Sequence, residues 1–260
     1  MFAGGIGRIA EVLVDVIRSI GSDVHLSTPV AQITLASDGS KATGVRFKSG
    51  EVIIADRGVI CNTDIWSLPR LLDDEQTKLT PEQHQFFFKN ITTKVATKSF
   101  LHLHLGLDMT GIDLSTLKPH YTVMAKGLHS HDPCADRNMV AVSVPSLLDD
   151  SLAGKDRFVV HAYSAGNEGY EDWRRYDAAY NSRFNTGNEV LQREYEDKKT
   201  LTASFLFDSV SRALGISVDD VKARAEVSLI GTPLTHKRYL SRHEGSYGAA
   251  FDSMLGMLSI

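Results

Sequence analysis

At 260 residues, the chain is long enough to form one large domain or two smaller ones. Its hydrophobic content of 42% and charged content of 23% exclude a disordered or fibrous protein, and a formal net charge of -4 with scattered Lys and Arg gives no reason to expect nucleic-acid binding. No apolar run approaches the roughly 20 residues that a membrane-spanning helix needs, so we expect a soluble protein or one attached to a membrane surface.

The first 65 residues are predicted to form one unit of a helix, a β-meander and a strand. Apolar residues recur at helical spacing over 6–20, and Gly21 stands where a helix C-cap is expected. Short β-rich runs follow, separated by Asp-Gly and Ser-Gly turn pairs. The predicted meander covers 30–35, 42–47 and 52–60, and it returns into an apolar strand over 58–61.

Beyond residue 65, longer polar connections separate the elements, which predicts a second, mixed α+β domain over 66–230 and a return segment over 231–260. Thr80 precedes Pro81, and Gln83 stands three residues after Thr80, a pattern typical of an N-capped helix, here running toward Lys89. The remaining predicted strands are 100–107, 140–144, 158–163 and 225–230, and the remaining predicted helices are 189–199 and 201–214, the last capped by Gly215. The fold class is therefore α/β followed by α+β.

Four stretches carry a family resemblance. They are Gly4-Gly5-Ile6-Gly7; Pro29-Val30-Ala31-Gln32-Ile33 with the meander to Cys61-Asn62; Ser143 to Asp149; and Gly231 to Tyr239, continuing through Arg242, Gly245, Tyr247 and Gly248. In this order and spacing they resemble the carotenoid cis-trans isomerase (prolycopene isomerase) branch of the FAD-dependent phytoene desaturase family, within the flavin amine-oxidoreductase superfamily. The resemblance covers about residues 3–248.

The resemblance implies a two-domain FAD-dependent oxidoreductase fold. Such proteins begin with a strand, a G-x-G-x-x-G turn and a helix that holds the pyrophosphate, and they end with a Gly-Asp flavin segment. Neither is found here, because no strand precedes Gly4-Gly5-Ile6-Gly7 and residues 249–260 carry no Gly-Asp pair. The chain is therefore expected to be the middle part of that fold, lacking the N-terminal βαβ dinucleotide-binding unit and most of the FAD contacts.

Five residues are candidates for cofactor binding. By resemblance, Val30 lies in the strand whose backbone holds the adenine, and its alternative role is that of a core valine. Asn62 and Thr63 follow the predicted strand at its C-terminal end, where open α/β sheets place ligands, but they are equally suited to cap the next element. Gly5 and Gly7 permit close backbone approach to a flavin, although a helix entry favours glycine in any case.

Four residues are candidates for the substrate site. Thr235, His236, Arg238 and Tyr247 lie in the stretch that, by resemblance, returns from the substrate domain toward the flavin. Arg238 is suited to pair with protein acids, and Tyr247 offers a ring to a polyene or a hydroxyl to a flavin carbonyl. The alternative interpretation of this stretch is a basic surface turn.

No metal site is predicted. His102 and His104 share one face of a predicted strand at a spacing that metal sites use, but no acidic or cysteine partner stands at an obvious spacing. His129 and His131 lie in a polar loop and make a weaker case. The two cysteines, Cys61 and Cys134, are too few and too far apart to indicate a zinc site or a disulfide framework, so both are expected to be free thiols.

The resemblance implies an FAD-dependent enzyme that isomerises poly-cis lycopene from cis to trans. Its alternatives are a phytoene or carotene desaturase, a retinol saturase-like enzyme and, in another class, a non-catalytic fragment or binding module without flavin. The implied substrate is an apolar polyene, with peripheral membrane association as a further expectation. The family implies a plastid location in a eukaryote, although no targeting signal is visible in the sequence.

Overall fold

The computed structural model describes residues 5–72, 79–85, 88, 91, 94–127, 135–177, 189–248 and 251–252. Residue contacts divide the chain into two compact units, one made of Met1–Leu13 with Thr97–Tyr247 and the other of Val14–Ala96 with Gly248–Ile260. The structure has both helices and sheets, so the expected mixture of α and β structure is confirmed. The predicted boundaries after residues 65 and 230 stay predictions.

The first helix, α1 (Gly7–Ser19), confirms the amphipathic helix predicted at 6–20. It ends where Gly21 adopts φ +82°, a left-handed conformation that favours glycine, and the Gly21 N–H donates to the Arg18 carbonyl at 3.0 Å. The apolar stripe of the helix is exposed: it consists of Ile6, Val12, Leu13, Val16, Ile17 and Ile20. None of the helices that the structure describes is both long enough and apolar enough to cross a bilayer.

The unit that contains residues 14–96 is built on a three-stranded antiparallel meander. Its strands are β1 (Val30–Leu35), β2 (Ala42–Phe47) and β3 (Val52–Ile54), in that order across the sheet. The Asp38 carboxylate accepts a hydrogen bond from the Ser40 N–H at 2.9 Å, which forms the predicted turn between β1 and β2. The first two predicted strands of the meander are confirmed, whereas the third, predicted over 52–60, ends at Ile54.

The strand predicted at 58–61 is wrong: the structure has irregular backbone there. Val59 packs beside the small core of Ile33, Leu71 and Leu72, whereas Ile60 is 96% exposed. A strand needs a neighbour to take its backbone hydrogen bonds, and none of the described strands pairs with this segment. Apolar composition alone was therefore a poor guide to strand formation.

Two short helices follow in the same unit. They are α2 (Leu68–Leu72), which the sequence did not predict, and α3 (Pro81–His84). The predicted cap of α3 is confirmed, because Thr80 Oγ1 accepts from the Gln83 N–H at 3.2 Å and Gln83 Oε1 accepts from the Thr80 N–H at 2.8 Å. The predicted continuation toward Lys89 passes through 86–87 and 89–90, which lie outside the described residues.

The unit that contains residues 97–247 is built on a five-stranded sheet. Its strands are β5 (Ser99–Asp108), β6 (His120–Met124), β7 (Met139–Ser143), β8 (Arg157–Glu168) and β9 (Ala225–Gly231). Their order across the sheet is β6–β7–β8–β5–β9, and all neighbours are antiparallel. The predicted strands are confirmed, and β6 was not predicted. The other unit has a further pair of short strands, β4 (Lys94–Val95) and β10 (Phe251–Asp252).

Helices pack against this sheet and complete its core. They are α4 (Glu171–Arg174), α5 (Glu189–Thr202), α6 (Ser204–Leu214), α7 (Val218–Arg224) and α8 (Pro233–Leu240), with short 3-10 turns at Pro145–Leu147, Asp150–Leu152 and His243–Gly245. The core combines the four leucines of β5 with Leu206 and Val210 of α6, all of them at most 2% exposed. The helices predicted at 189–199 and 201–214 are confirmed, whereas α7 and α8 were not predicted.

A buried carboxylate closes the end of β8. Glu168 is 1% exposed, and its two oxygens accept from the Arg137 guanidinium at 2.7 and 3.1 Å. The indole N–H of the fully buried Trp173 donates to the same carboxylate at 3.3 Å. A charge in the interior is tolerated when it is paired and hydrogen-bonded in this way, so the three side chains form one packed unit.

Candidate functional site

The face of the five-stranded sheet opposite the core is lined with rings. Successive side chains of a strand point to opposite faces, so the leucines of β5 enter the core while its intervening residues line the other face. We call this surface the ring face; it consists of Phe100, His102 and His104 of β5, His161 and Tyr163 of β8, His236 of α8, and Tyr247.

The strand register brings these rings into contact. His104 lies directly opposite His161, and His102 lies opposite Tyr163. The rings of His104 and His161 stack with centroids 4.2 Å apart and planes 2° apart. His236 reaches the same surface from α8, where its ring stacks on His102 at 4.7 Å. Four histidines thus form one continuous cluster.

These imidazoles are uncharged at neutral pH. Burial is the main reason why the pKa of His102 is lowered to about 3, and repulsion by His236, His104 and His161 contributes. Burial likewise lowers the pKa of His161 to about 4, with a smaller contribution from His104. Burial also lowers the pKa of His104 and of His236. The ring face therefore presents neutral, weakly polar surface.

The histidine cluster is incompletely hydrogen-bonded. His104 Nε2 and His102 Nδ1 lie 3.2 Å apart and share one hydrogen bond. The Nε2 atoms of His102, His161 and His236 are buried, and none of them has a hydrogen-bond partner among the described residues. Buried polar atoms without partners are uncommon in proteins and point to a ligand or water at the site.

The His102 ring is held in place by a glycine on the neighbouring strand. A Cβ atom at Gly231 would lie 2.0 Å from His102 Nε2 and 2.2 Å from its Cδ2, which is closer than real contacts allow. We expect Gly231→Ala to push His102 out of its stack on His236, and changed histidine side-chain NMR signals would show this. Gly154→Ala is the control, because its Cβ would make only an ordinary 3.8 Å contact. Unchanged His102 signals in Gly231→Ala would contradict the described ring position.

The structure brings His236 and Tyr247, two of the four substrate-site candidates, onto the ring face. Tyr247 is 48% exposed and meets the Phe100 ring edge-on at 5.1 Å. Thr235 forms part of the α8 cap, where its hydroxyl accepts from the Thr232 N–H at 3.0 Å. Arg238 lies over the Tyr239 ring at 5.3 Å. This stretch is a capped helix rather than the basic surface turn that the sequence left open.

The cofactor candidates are distributed over both units. Gly5 and Gly7 belong to the unit with the ring face, whereas Val30, Asn62 and Thr63 belong to the meander unit. Val30 begins β1, an edge strand of the described meander, and Asn62 and Thr63 are exposed. Thr63 Oγ1 lies 3.2 Å from the sulfur of Cys61, an exposed free thiol. The cofactor roles of these residues stay predictions.

Comparisons with known proteins find a family match and similar relatives for this sequence. Residues 1–106 match the family described as "Flavin containing amine oxidoreductase". The chain is 26% identical over 246 residues to the chloroplastic prolycopene isomerase of Daucus carota, covering 94% of this chain and 35% of that protein. The predicted family resemblance is confirmed. This chain thus spans about a third of the length of that curated relative.

Two further proteins are similar to this chain. A 4,4'-diapophytoene desaturase (4,4'-diapolycopene-forming) of Methylomonas sp is 26% identical over 244 residues, covering 89% of this chain and 40% of the relative. A crystal structure of an oxidoreductase from Methanosarcina mazei superposes with a TM-score of 0.48 at 17% identity, covering 88% of this chain and 42% of that one. Such a score is too low to define a shared fold.

The sequence did not single out three members of the ring face: Phe100, His161 and Tyr163. The sequence did contain a pattern that places His161 and Tyr163 on one face, because they alternate with Val160 and Ala162 along the predicted strand. That alternation assigns both rings to the face opposite the core. What the sequence lacked was the pairing of β8 with β5, which places His161 opposite His104.

Proposed function

We propose that the protein containing this chain is an FAD-dependent oxidoreductase-family enzyme that acts on carotenoids and isomerises poly-cis lycopene from cis to trans. The main support for this proposal is the similarity to a prolycopene isomerase over 94% of this chain. The aligned part is long enough to include residues of both compact units. The support therefore extends well beyond the amine-oxidoreductase match at residues 1–106.

The chemistry of the ring face supports an apolar, conjugated substrate. A polyene has no ionisable group, so a protein recognises it by apolar and aromatic contact. The ring face offers neutral imidazoles together with Phe100 and Tyr163. The adjoining strand β9 adds Val227 and Leu229, which are 51% and 62% exposed and lie beside Gly106 and His104 in the strand pairing. The aromatic and aliphatic side chains of this surface suit a substrate held without charges.

Two parts of the chain, each taken by itself, support the proposed FAD contacts. β1 is an edge strand of the described meander, and an edge strand has backbone groups free to bind an adenine next to Val30. Gly7 has nothing within 4 Å of an added Cβ, so backbone there is open to close approach. We propose FAD contacts for Val30, Asn62 and Thr63 in the meander unit and, taken separately, for Gly5 and Gly7 in the other unit. When bound, FAD would act in its reduced form in isomerisation and would accept hydride in its oxidised form in desaturation.

Desaturation is the second candidate function. It is favoured by the similarity to the Methylomonas desaturase, which covers 89% of this chain at the same 26% identity as the carrot isomerase. Isomerisation leaves the hydrogen count of the substrate unchanged, whereas desaturation removes hydrogen and needs an oxidant. The product therefore separates the two reactions.

The test uses the complete open reading frame that encodes this chain. Expressed in cells that accumulate poly-cis lycopene, it is expected to yield all-trans lycopene, measured by chromatography. Expression in cells that accumulate phytoene tests desaturation, and a retinol feed tests the saturase-like alternative. Conversion of phytoene without isomerisation would replace the proposal by desaturation. A flavin-loaded protein without activity on any of them would overturn carotenoid chemistry altogether.

Two tyrosines provide a matched test of the ring face. We expect Tyr247→Ala to slow the conversion by up to about tenfold, because an aromatic contact of this kind contributes about 0.5–1.5 kcal/mol. Tyr239→Ala is the control, since Tyr239 is 68% exposed on α8 and lies outside the ring face. The measurement compares the initial rates of carotenoid conversion by the two variants at equal protein levels. Equal rates for the two variants would remove Tyr247 from the substrate site.

The cellular setting is proposed on the same basis. The carrot relative is described as chloroplastic, so we propose a plastid location if the protein is eukaryotic. Because carotenoids reside in membranes, we propose peripheral membrane association, with the exposed apolar stripe of α1 as the contact surface. Fractionation of plastids would show the protein in the membrane pellet and its release by carbonate.

A further inference from the structure

Three imidazoles of the ring face converge. His102, His104 and His161 each place one ring nitrogen within 4.8 Å of the other two. Two of the residues lie on β5 and the third lies directly opposite on β8, so the sheet itself fixes their spacing. We propose that these three histidines form a binding site for a divalent late first-row transition metal, zinc in the first instance.

The distances suit one shared ion. Zinc binds imidazole nitrogens at about 2.0–2.1 Å in tetrahedral geometry, which separates two ligand nitrogens by about 3.3 Å. His104 Nε2 and His102 Nδ1 are already 3.2 Å apart. The third nitrogen, from His161, lies within 4.8 Å, and a rotation of its ring closes that gap. The ion would end the face-to-face stacking of His104 and His161.

Two features of the surrounding structure leave ring nitrogens of His102 and His161 available to a metal ion. His102 Nε2 faces the backbone of Gly231, which turns Nδ1 of the same ring toward His104. His161 Nε2 is buried and has no hydrogen-bond partner among the described residues. A metal ion would use the free lone pair of such a nitrogen, and leaving that atom without any partner is costly.

The ligand set selects the kind of metal. Imidazole nitrogens suit zinc, copper, nickel and cobalt, whereas calcium and magnesium require oxygen ligands. Three histidines with a fourth position open to water are one of the known ligand sets of zinc. The sequence predicted no metal because His102 and His104 had no acidic or cysteine partner at an obvious spacing. The third ligand is instead another histidine, His161, which the strand pairing brings opposite His104.

Metal binding is tested on the purified protein without a polyhistidine tag, free of carotenoid, after removal of metals with a chelator. Titration with ZnCl2 in a calorimeter is expected to show one site, and CoCl2 is expected to give the visible absorption of tetrahedral cobalt. His161→Gln removes one ligand and is expected to weaken zinc binding by about tenfold or more. Zinc is also expected to raise the Tm of the parent protein and not that of His161→Gln.

His120→Gln is the matched control. His120 is an exposed strand histidine two strands away from His161, and its ring bonds to Ser143 at 3.0 Å. We expect zinc binding in this variant to stay within about twofold of the parent protein. Equal weakening in both variants, or no weakening in His161→Gln with a native circular dichroism spectrum, would overturn the site. The readouts need neither flavin nor substrate, so the carotenoid proposal stands or falls separately.

Discussion

Replacing Trp173 with alanine is expected to lower the free energy of unfolding by about 3–5 kcal/mol. Trp173 is fully buried, and it contacts Tyr195 edge-on with ring centroids 6.0 Å apart. Its removal leaves a large cavity and also deprives the Glu168 carboxylate of a hydrogen bond. Urea denaturation followed by far-UV circular dichroism measures the loss.

Two further variants show which part of the effect comes from packing. Trp173→Phe keeps much of the ring volume but lacks the N–H donor, so we expect a smaller loss of about 1–3 kcal/mol. Tyr239→Ala removes an aromatic ring that is 68% exposed and is expected to change stability by less than about 0.5 kcal/mol. A Trp173→Ala loss as small as that of Tyr239→Ala would show that the described core is wrong at this position.

Replacing Gly245 with alanine is expected to cost at least about 2 kcal/mol. Gly245 has φ +64°, which is strained for any residue with a Cβ atom. An added Cβ would also lie 2.1 Å from the Pro233 carbonyl oxygen, and backbone cannot move away as a flexible side chain can. The chain after α8 would have to shift, and with it Tyr247 on the ring face.

A matched variant at Gly215 separates the cost of the left-handed conformation from the cost of the steric clash of an added Cβ atom. It has φ +70° at the end of α6, but nothing lies within 4 Å of an added Cβ. Gly215→Ala therefore carries the conformational penalty alone, which we expect to be about 1 kcal/mol. The comparison is made by thermal and urea unfolding of both variants. Equal losses at the two glycines would mean that the close approach of Gly245 to Pro233 does not exist.

Local sequence signals predicted most of the elements. The strands of the meander are bounded by Asp-Gly and Ser-Gly turns, and α3 begins at its predicted capping box, because both features depend on residues close together in the chain. The missed helix α8 also has a capping box, but its partners are Thr232 and Thr235 rather than the usual Thr and Glu or Gln. The prediction of a strand at 58–61 was wrong for a non-local reason, since none of the described strands pairs with this segment.

The candidate site was less predictable than the fold. The alternation along β5 placed His102 and His104 on one face correctly. Their partners come from β8 and α8, which are about 60 and 130 residues further along the sequence, as the positions of His161 and His236 show. Strand pairing decides such contacts, and single-sequence patterns carry little information about which strands pair. His129, His131 and Cys134 lie outside the described residues.

The alternation of β5 also limits how this protein can evolve. Four leucines of the core and two histidines of the ring face share one strand, with a side-chain period of two. Deleting a single residue within the strand would send the downstream histidines into the core and the leucines to the opposite surface. Length changes in β5 are therefore tolerable only in pairs of residues, and natural variation there should consist of substitutions rather than insertions or deletions.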